Sequence, residues 1–388
     1  MKVLVCLSRF PYPLNKGDKL RAFYQIKELA KEHEVYLFCF NRTKVSQSDL
    51  EILKQYCKEI HIEKLSLVSQ CFSLFKSFFT SLPLQVAFFT TKKAKRSFLL
   101  FSKKVKADVS YFQFVRTAEY AKQINGKCVL DFQDCLSVNM ERRAMKSNRL
   151  FKNIFLYEAR KLRNYEDTMF DRFNATTIIT DIDRDLLSSD RKNEVNIIEN
   201  GVGDSFLNYT QKKDKKFDVI FSGNMSYAPN VDAARFLINE IMPMVWAKFP
   251  DTKVVLAGSN PTNYIKSLAC DRVVVTGWVD DMKEYYAQSR IFIAPMRIGT
   301  GLQNKLLEAM ALSLPCITTP LANSALKSLP DKEILVASEA SLLAENIVKL
   351  LTDEMLYETL AANGHKFVEE NYNWQYSTEK LIKIFQTC

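Results

Sequence analysis

Residues 291–311, IFIAPMRIGTGLQNKLLEAMA, are the stretch that decides the fold. They begin with an apolar run, pass through a short loop that holds Gly299 and Gly301, and continue with apolar residues at helical spacing. A strand, a loop and a helix in this order make one βα unit of a parallel sheet. Glycines in such a loop let backbone amides approach a phosphate, and the helix N-terminus behind them favours an anion.

The same alternation of short apolar runs and longer helical patterns extends along the chain. The runs predicted to be strands are residues 3–7, 35–40, 59–62, 109–112, 129–132 and 176–180, then 219–222, 253–257, 273–276, 291–295 and 316–318. The 388 residues exceed what one core usually holds. The sequence therefore predicts an α/β protein with two Rossmann-like domains, each built on a parallel sheet.

The break between the two series follows the turn dipeptide Asn200-Gly201. Residues 210–216 are polar, rich in lysine and without apolar periodicity, as is usual in a linker. Ligands of such folds bind at the carboxyl ends of the strands, so we expect the site in a cleft between the two domains.

Composition excludes several classes of protein. Apolar residues make up 47% and charged residues 25% of the chain, which is a normal balance for a globular protein. The apolar stretch at residues 77–91 is interrupted by polar residues and a proline, so it does not predict a membrane span. Nine cysteines without a Cys-x-x-Cys motif and three scattered histidines indicate reduced thiols, a cytoplasmic location and no metal site.

Lys305 and Glu308 are the leading candidates for binding a ligand. They stand three residues apart and therefore share one face of the predicted helix. A lysine adds a full positive charge beside a phosphate, and a carboxylate can accept both hydroxyls of a ribose, so the pair matches a nucleoside diphosphate. An ordinary exposed Lys–Glu pair is the alternative. A Walker A loop is excluded because no Gly-Lys-Ser/Thr is present.

Two more loops are predicted at the same edge of the second sheet. FSGNM (221–225) follows the first strand of that domain, and GWVDD (277–281) follows a later one. Gly223 would admit a phosphate or a sugar close to the backbone, and Val279 would line the base pocket. Plain βα turns are the alternative for both loops.

Together these stretches resemble the family-4 nucleotide-sugar glycosyltransferases of the GT-B fold, from Ser-Gly-Asn through Gly-Trp-Val to Gly-x-x-x-Lys-x-Leu-Glu-Ala-Met-Ala. The resemblance covers nearly the whole chain and is strongest to bacterial exopolysaccharide and cell-surface polysaccharide glycosyltransferases. It implies an acceptor-binding domain at residues 1–200, a donor-binding domain at 201–365, and a helix at 366–388 that packs back on the first domain. It also implies a retaining hexosyl transfer from a nucleotide-diphosphate sugar, without a metal or other cofactor.

The resemblance also assigns roles to single residues. Lys305 would neutralise the donor diphosphate and Arg297 would assist it there, both as catalytic groups, while Glu308 would hold the ribose. The remaining donor-binding residues would be Gly223, Asn224, Val279, Gly299, Thr300 and Gly301. Thr300 stands where the family commonly has a glutamate that contacts the donor sugar, so the sugar cannot be read from the sequence.

The loop after the first strand, SRFPYPLNKGDKLR (8–21), resembles the acceptor loop of the same family. Its glycine and prolines shape the loop, and its lysines and arginines make it cationic. The residues predicted to bind the acceptor are Lys16, Gly17, Asp18 and Arg21. By the resemblance, Gly17 would lie near the donor phosphates. The alternative is a helix capped by Asn15 or Asp18 with solvated lysines.

The loop LDFQD (130–134) ends another strand and is predicted to point into the cleft. Gln133 stands where many relatives have a histidine, so catalysis by a histidine is not expected. Asp131 and Asp134 are the candidates to contact sugar hydroxyls or to assist proton transfer, and capping of the next segment is the alternative. Arg116 would bind a charged acceptor or pair with one of these carboxylates.

Residues 64–107 form a basic and aromatic stretch without a single acidic residue. Its phenylalanines stand at 72, 75, 78, 79, 88, 89, 98 and 101, and its lysines cluster at 92, 93 and 95 beside Arg96. Such a stretch favours the surface of an anionic membrane, where a peripheral protein on the inner face would meet a lipid-linked saccharide acceptor. The alternative is that these phenylalanines form the packing faces of core helices.

The net charge of +10 also suits nucleic acid, but no nucleic-acid-binding module is present, so no nucleic-acid partner is expected. A nucleotide-sugar epimerase of the same fold is an alternative enzyme. It would need acid/base carboxylates and histidines around the sugar, and His33, His61 and His365 are poorly placed for that. A non-catalytic nucleotide-sugar-binding subunit is a further alternative, because Thr300 and Gln133 depart from the family pattern.

Overall fold

The first strand, β1 (Lys2–Leu7), is buried from its second residue onward in the computed structural model, which describes residues 1–14, 16–145, 147–209, 214–299 and 301–388. Side chains buried on both faces are typical of a strand inside a parallel sheet that helices cover on both sides. The other strands of its sheet are β2 (Glu34–Asn41), β3 (Cys57–Lys64), β4 (Val109–Gln113), β5 (Lys127–Asp131), β6 (Ala175–Ile178) and β7 (Asn196–Ile197). In the described part of the chain this sheet has seven parallel strands in the order β3-β2-β1-β4-β5-β6-β7.

Helices cover both faces of this first sheet and form two hydrophobic cores with it. They are α1 (Gly17–Leu29), α2 (Gln47–Lys54), α3 (Leu67–Ser77), α4 (Leu84–Phe89), α5 (Lys92–Val105), α6 (Leu136–Met145), α7 (Arg149–Asp167) and α8 (Asp181–Asp185). The chain between β4 and β5 forms a 3-10 helix at Val115–Gln123.

The second sheet is built in the same way from the second half of the chain. Its strands are β8 (Phe217–Ser222), β9 (Val254–Ala257), β10 (Val273–Gly277), β11 (Ser289–Ala294), β12 (Cys316–Thr318) and β13 (Leu335–Val336). They are parallel and lie in the order β10-β9-β8-β11-β12-β13. The helices that accompany them are α9 (Asp204–Leu207), α10 (Ala228–Phe236), α11 (Met242–Trp246), α12 (Asn263–Ser267), α13 (Met282–Ala287), α14 (Asn304–Ala311), α15 (Pro320–Leu326), α16 (Ala340–Thr352) and α17 (Glu354–Asn371).

Both sheets reverse their strand order once, between β1 and β4 and between β8 and β11. In open α/β sheets ligands bind at this switch point, outside the carboxyl ends of the strands. The loops that follow these four strands therefore mark the places to look for a site. The observed sheets confirm the predicted α/β fold class with two Rossmann-like parallel sheets. The additional strands β7 and β13 are each only two residues long, too short for a sequence pattern to show.

The chain divides into two compact units. Unit 1 consists of residues 1–199 and 374–388, and unit 2 consists of residues 200–373. The returning segment is α18 (Trp374–Thr387), whose Trp374 ring stacks on Tyr24 of α1 at a centroid distance of 5.4 Å. This segment begins at residue 374 rather than at 366, because α17 continues without a break to Asn371. Residues 210–213 of the predicted linker lie outside the described residues.

Candidate active site

Two glycines shape the edge of the second sheet beside its switch point. Gly223 follows β8 with a φ of +151°, and Gly258 follows β9 with a φ of +144°. A Cβ on Gly258 would lie 1.9 Å from the carbonyl oxygen of Gly223, and a Cβ on Gly223 would lie 2.7 Å from Nδ2 of Asn230. Glycine is therefore required at both turns, which lets the backbone approach a ligand closely at this edge.

Lys305 stands in the first turn of α14, behind the loop that follows β11. Its Nζ donates to Oδ1 of Asn230 at 2.5 Å and lies 4.8 Å from the centroid of the Phe221 ring. Loss of water around the ammonium lowers the pKa of Lys305 to about 7, although the nearby Glu308 works in the opposite direction. A diphosphate that bound here would restore a full positive charge on Lys305.

Glu308 is held by a chain of hydroxyl groups. The Tyr286 hydroxyl donates to Oε2 of Glu308 at 3.1 Å, and the Ser222 hydroxyl lies 2.7 Å from the same tyrosine oxygen. Burial raises the pKa of Glu308 to about 7, against the effects of Tyr286 and Lys305. Lys305 and Glu308 thus each have a protein partner of their own and shifted pKa values, which an ordinary exposed pair does not.

Asn230 and Tyr286 were not found from the sequence. Asn230 on α10 also donates through Nδ2 to the backbone oxygen of Asn224 at 2.9 Å, so it ties the turn after β8 to Lys305. A Pro-Asn pair at the start of a helix, just after Ser-Gly-Asn, was the only available signal for Asn230. Tyr286 lies on α13, where nothing in its own stretch points to Glu308.

Arg297 is paired with two carboxylates of unit 2, and its catalytic role stays a prediction. Its Nε and Nη2 donate to the two carboxylate oxygens of Asp232 at 3.1 and 3.0 Å, and Nη1 lies 3.5 Å from Glu240. The guanidinium also stacks 4.1 Å above the ring of Phe236. The hydrogen bonds to the Asp232 carboxylate raise the pKa of Arg297 further.

The other predicted donor-binding residues lie in loops at the carboxyl edge of the second sheet. Gly299 has a φ of +100°, and a Cβ on Gly301 would meet nothing within 4 Å. Val279 is half-buried two residues after β10, and the Asn224 side chain accepts from Ser226 within its own turn. Thr300 lies outside the described residues.

In unit 1, Arg21 and Asp131 form a fully buried ion pair. Nε of Arg21 lies 2.7 Å from Oδ2 of Asp131, and both side chains have 0% exposed surface. Asp131 also accepts from the hydroxyl of Tyr111 at 3.0 Å and from that of Thr177 at 2.9 Å. Neither side chain can reach a substrate, so the predicted catalytic role of Asp131 and the acceptor-binding role of Arg21 are corrected to a structural one.

Asp134 differs from Asp131, although it lies only three residues further along the chain. Its Oδ1 is buried without a hydrogen-bond partner in the described part of the chain. Burial raises the pKa of Asp134 to about 7, with a smaller contribution from Asp183, while Arg116 acts against both. Asp134 therefore remains a candidate for accepting a substrate hydroxyl or a proton.

Two residues beside Asp134 have unusual backbones. Phe114 follows β4 and Gln133 lies two residues after β5, and both have a φ of 63°. Positive φ values in residues other than glycine store strain and are frequent at functional sites. Arg116 stacks 4.8 Å above the Phe114 ring and donates from Nε and Nη2 to Oε1 of Gln85 at 3.0 and 2.7 Å.

The predicted acceptor loop opens helix α1. Lys16 occupies the N-cap position without a side-chain cap, and Gly17 is the first residue of α1. The Asp18 carboxylate forms an ion pair with Nε of Arg9 at 3.0 Å. Asp18 therefore does not cap α1, as the alternative interpretation had proposed. Asn15, the other predicted cap, lies outside the described residues.

Neither a metal centre nor a membrane span emerges from the described residues. No group of three His, Cys, Asp or Glu side chains among them is arranged to hold a metal ion. None of the helices that the structure describes combines the length and apolarity needed to cross a bilayer. Asp183 of the Asp-x-Asp at residues 181–183 is buried and accepts from the hydroxyl of Thr180 at 2.6 Å.

Sequence comparison relates unit 2 to a known family. Residues 216–353 match the model of the glycosyl transferases group 1 family. An uncharacterised 44.6 kDa protein of the cps region of Klebsiella pneumoniae is 23% identical over 96% of both chains. The capsular polysaccharide biosynthesis glycosyltransferase CapM of Staphylococcus aureus is 25% identical over 61% of this chain and 66% of its own.

Solved structures share the complete fold. Anabaena HepE in complex with UDP superposes with a TM-score of 0.70 at 13% identity and full coverage of both chains. WaaG, a glycosyltransferase involved in lipopolysaccharide biosynthesis, superposes with a TM-score of 0.66 at 14% identity, again over both whole chains. The chain thus has the GT-B fold and carries a glycosyl transferases group 1 domain at residues 216–353, and its sequence is similar to proteins of bacterial polysaccharide biosynthesis.

Proposed function

We propose that this protein transfers a hexose from a nucleotide-diphosphate sugar to a glycan or lipid-linked saccharide in the synthesis of a bacterial surface polysaccharide. The observation that carries the proposal is the pair Lys305 and Glu308, each oriented by its own partner at the carboxyl edge of the second sheet. An ammonium for the diphosphate and a carboxylate for the ribose are the groups that a nucleoside diphosphate requires. UDP and UDP-glucose, bound in the HepE structures, suggest the class of donor to test first.

Lys305 is proposed to promote departure of the nucleoside diphosphate. As the bond to the sugar breaks, negative charge develops on the leaving oxygen, and Lys305 together with the N-terminus of α14 is placed to stabilise it. Asn230 holds Nζ of Lys305 in position before the donor arrives. The lysine side chain therefore loses less conformational entropy when the donor binds. Because this charge comes from the protein, we propose that the transfer is independent of a metal ion. The family resemblance supports the further proposal that the anomeric configuration is retained.

Asp134 is proposed to act on the acceptor side. Its unpartnered Oδ1 and its pKa of about 7 suit a group that accepts a hydroxyl or shares its proton near neutral pH. Lys16, Gly17, Asp18 and Arg116 are proposed to contact the acceptor. A lipid-linked acceptor would place the enzyme in the cytoplasm, on the inner face of the membrane.

A screen of nucleotide sugars for binding and turnover tests this proposal. The hit is then measured with Lys305→Ala and Glu308→Ala, beside the control Lys366→Ala, which removes one half of an exposed Lys–Glu pair on α17. We expect Lys305→Ala to lower kcat/KM by about 100-fold or more. Glu308→Ala should mainly raise KM, and the control should behave like the parent.

The proposal fails if no nucleotide sugar binds, or if both site variants bind and turn over the donor like the parent. Binding without turnover would instead favour a non-catalytic sugar-nucleotide-binding subunit. The anomeric configuration of the product, read by NMR, tests retention. Activity after dialysis against EDTA tests metal independence, and a loss restored by a divalent ion would contradict it.

A further inference from the structure

Helix α3 inverts the usual arrangement of a surface helix. The large apolar side chains of α3 and the turn after it are between 56% and 81% exposed: Leu67, Val68, Phe72, Phe75, Phe78 and Phe79. The side chains that α3 buries, at 1% exposure, include the polar Gln70 and Ser77. A helix of a globular protein normally buries its apolar face, so this exposed set marks an interaction surface.

The first half of α7 extends the same surface. Phe151, Ile154 and Tyr157 on α7 are 51%, 45% and 37% exposed, and the Tyr157 ring stacks on Phe78 at a centroid distance of 6.1 Å. Nζ of Lys161 donates to the carbonyls of Ser77 at 2.5 Å and Thr80 at 2.7 Å, which fixes the end of α3 on α7. We call these nine exposed side chains of α3, its following turn and α7 the apolar ridge.

The two chain segments that form the apolar ridge carry charges of one sign. The sequence contains no acidic residue in 64–107 or in 142–157, and Lys76, Arg149 and Lys152 are exposed on these two helices. The next carboxylate, Glu158, points inward at 3% exposure and accepts from the backbone N–H groups of Leu84 and Gln85 at 2.7 and 2.9 Å. The ridge therefore combines exposed aromatic rings with positive charge from the same two helices.

The rest of the basic stretch has a different role, which revises the expectation drawn from the sequence. Phe98 and Phe101 of α5 lie in the core of unit 1. Lys93, Lys95 and Lys104 pair with glutamates that lie outside residues 64–107, at 3.3, 3.7 and 2.6 Å. The α5 part of the stretch therefore contributes core phenylalanines and paired surface lysines, not exposed apolar side chains. The exposed patch is completed by residues of α7 instead.

We propose that the apolar ridge inserts into an anionic lipid bilayer, with its aromatic and aliphatic side chains at the boundary between headgroups and acyl chains and its cations among the lipid phosphates. Apolar side chains beside lysines and arginines are the combination by which helices bind such an interface. A second copy of this chain is a poor occupant, because two surfaces of the same positive charge would repel each other.

Flotation of the full chain with vesicles tests the ridge. The chain is expected to float with vesicles that contain 30% phosphatidylglycerol in phosphatidylcholine, and to be released as salt rises. The triple variant Phe72→Ser/Phe75→Ser/Phe79→Ser should bind at least about tenfold more weakly, because three apolar contacts with the bilayer are lost. The matched control Leu329→Ser/Met355→Ser removes two exposed apolar side chains of unit 2 and should float like the parent.

A label on a native cysteine gives an independent readout. Cys71 on α3 and Cys270 in unit 2 are both exposed, so each can carry an environment-sensitive fluorophore in a chain from which the other and Cys388 have been removed. Anionic vesicles should shift the emission of the label at Cys71 to the blue and leave the label at Cys270 unchanged.

Three results would overturn the proposal: no flotation at low salt, equal flotation of the triple variant, or a dimer that the triple variant abolishes in the absence of lipid. Nucleotide binding by each variant, measured in the same preparations, separates these outcomes from a failure of the proposed transfer. A variant that binds nucleotide but no longer floats supports the ridge by itself.

Discussion

Replacing Asp131 by asparagine is expected to destabilise unit 1 strongly. The change keeps the shape of the side chain but leaves the Arg21 guanidinium, which has no exposed surface, without its counter-charge. Removing one partner of a buried ion pair costs about 3–5 kcal/mol, because the remaining charge stays buried and uncompensated. The hydroxyls of Tyr111 and Thr177 also lose part of their acceptor.

Asp134→Asn is the matched control, and its effect should have the opposite sign. Burial raises the pKa of Asp134 from its ordinary value of 3.8 to about 7, so ionisation favours the unfolded chain at every pH above about 4. The unfavourable contribution is complete above pH 7 and disappears as the pH falls towards 4. The difference between the two values sets a ceiling of about 4 kcal/mol, and we expect a gain of about 1–3 kcal/mol at pH 8.

Urea unfolding followed by the fluorescence of Trp374 measures both changes. The chain has three tryptophans, so a Trp246→Phe/Trp278→Phe background leaves only Trp374, which stacks on Tyr24 inside unit 1. Asp131→Asn should lower the free energy of unfolding at pH 6 and at pH 8 alike, whereas the gain from Asp134→Asn should shrink at the lower pH. If Asp131→Asn leaves the transition unchanged and abolishes turnover, Asp131 is catalytic and our structural assignment is refuted.

Three further predictions concern unit 2. Because the pKa of Lys305 is about 7, its positive charge is lost as the pH rises. In calorimetric titrations the affinity for UDP should therefore fall by up to about tenfold per pH unit above 7. Lys305→Arg, which stays charged, should flatten this dependence. Gly258→Ala should destabilise unit 2 by about 3 kcal/mol or more in thermal unfolding, because its Cβ would meet a backbone carbonyl at 1.9 Å, while Gly301→Ala, with nothing within 4 Å, should change little. Tyr286→Phe removes the hydroxyl that orients Glu308. In steady-state assays it should raise KM for the donor by about tenfold, which corresponds to the free energy of one hydrogen bond, and should change kcat less.

Local patterns were enough to predict the fold and the helix that carries Lys305 and Glu308. Strands buried on both faces show as apolar runs, and a spacing of three places two side chains on the same face of a helix whatever surrounds it. The two-residue strands β7 and β13 leave no such pattern. What the sequence could not show was the set of partners contributed by distant parts of the chain.

Arg21 and Asp131 illustrate that limit. Arg21 follows a run of charged residues, and its local sequence predicts a solvated cationic loop. In the structure it is one of the largest fully buried side chains among the described residues. Its burial depends on a carboxylate 110 positions further along the chain, and no local spacing encodes that contact. Asn230, 75 positions from Lys305, was missed for the same reason.

Helix α18 has a consequence for how the protein is made. Residues 200–373 form a unit inserted into the chain of unit 1, and the two crossing segments pair where the N–H of Val202 donates to the carbonyl of Tyr372 at 2.8 Å. A ribosome that has delivered residues 1–199 has therefore not delivered α18, which covers α1 through Trp374. Domains generally fold as units as they emerge. Unit 1, most of which is synthesised first, therefore stays incomplete until unit 2 has been translated in full.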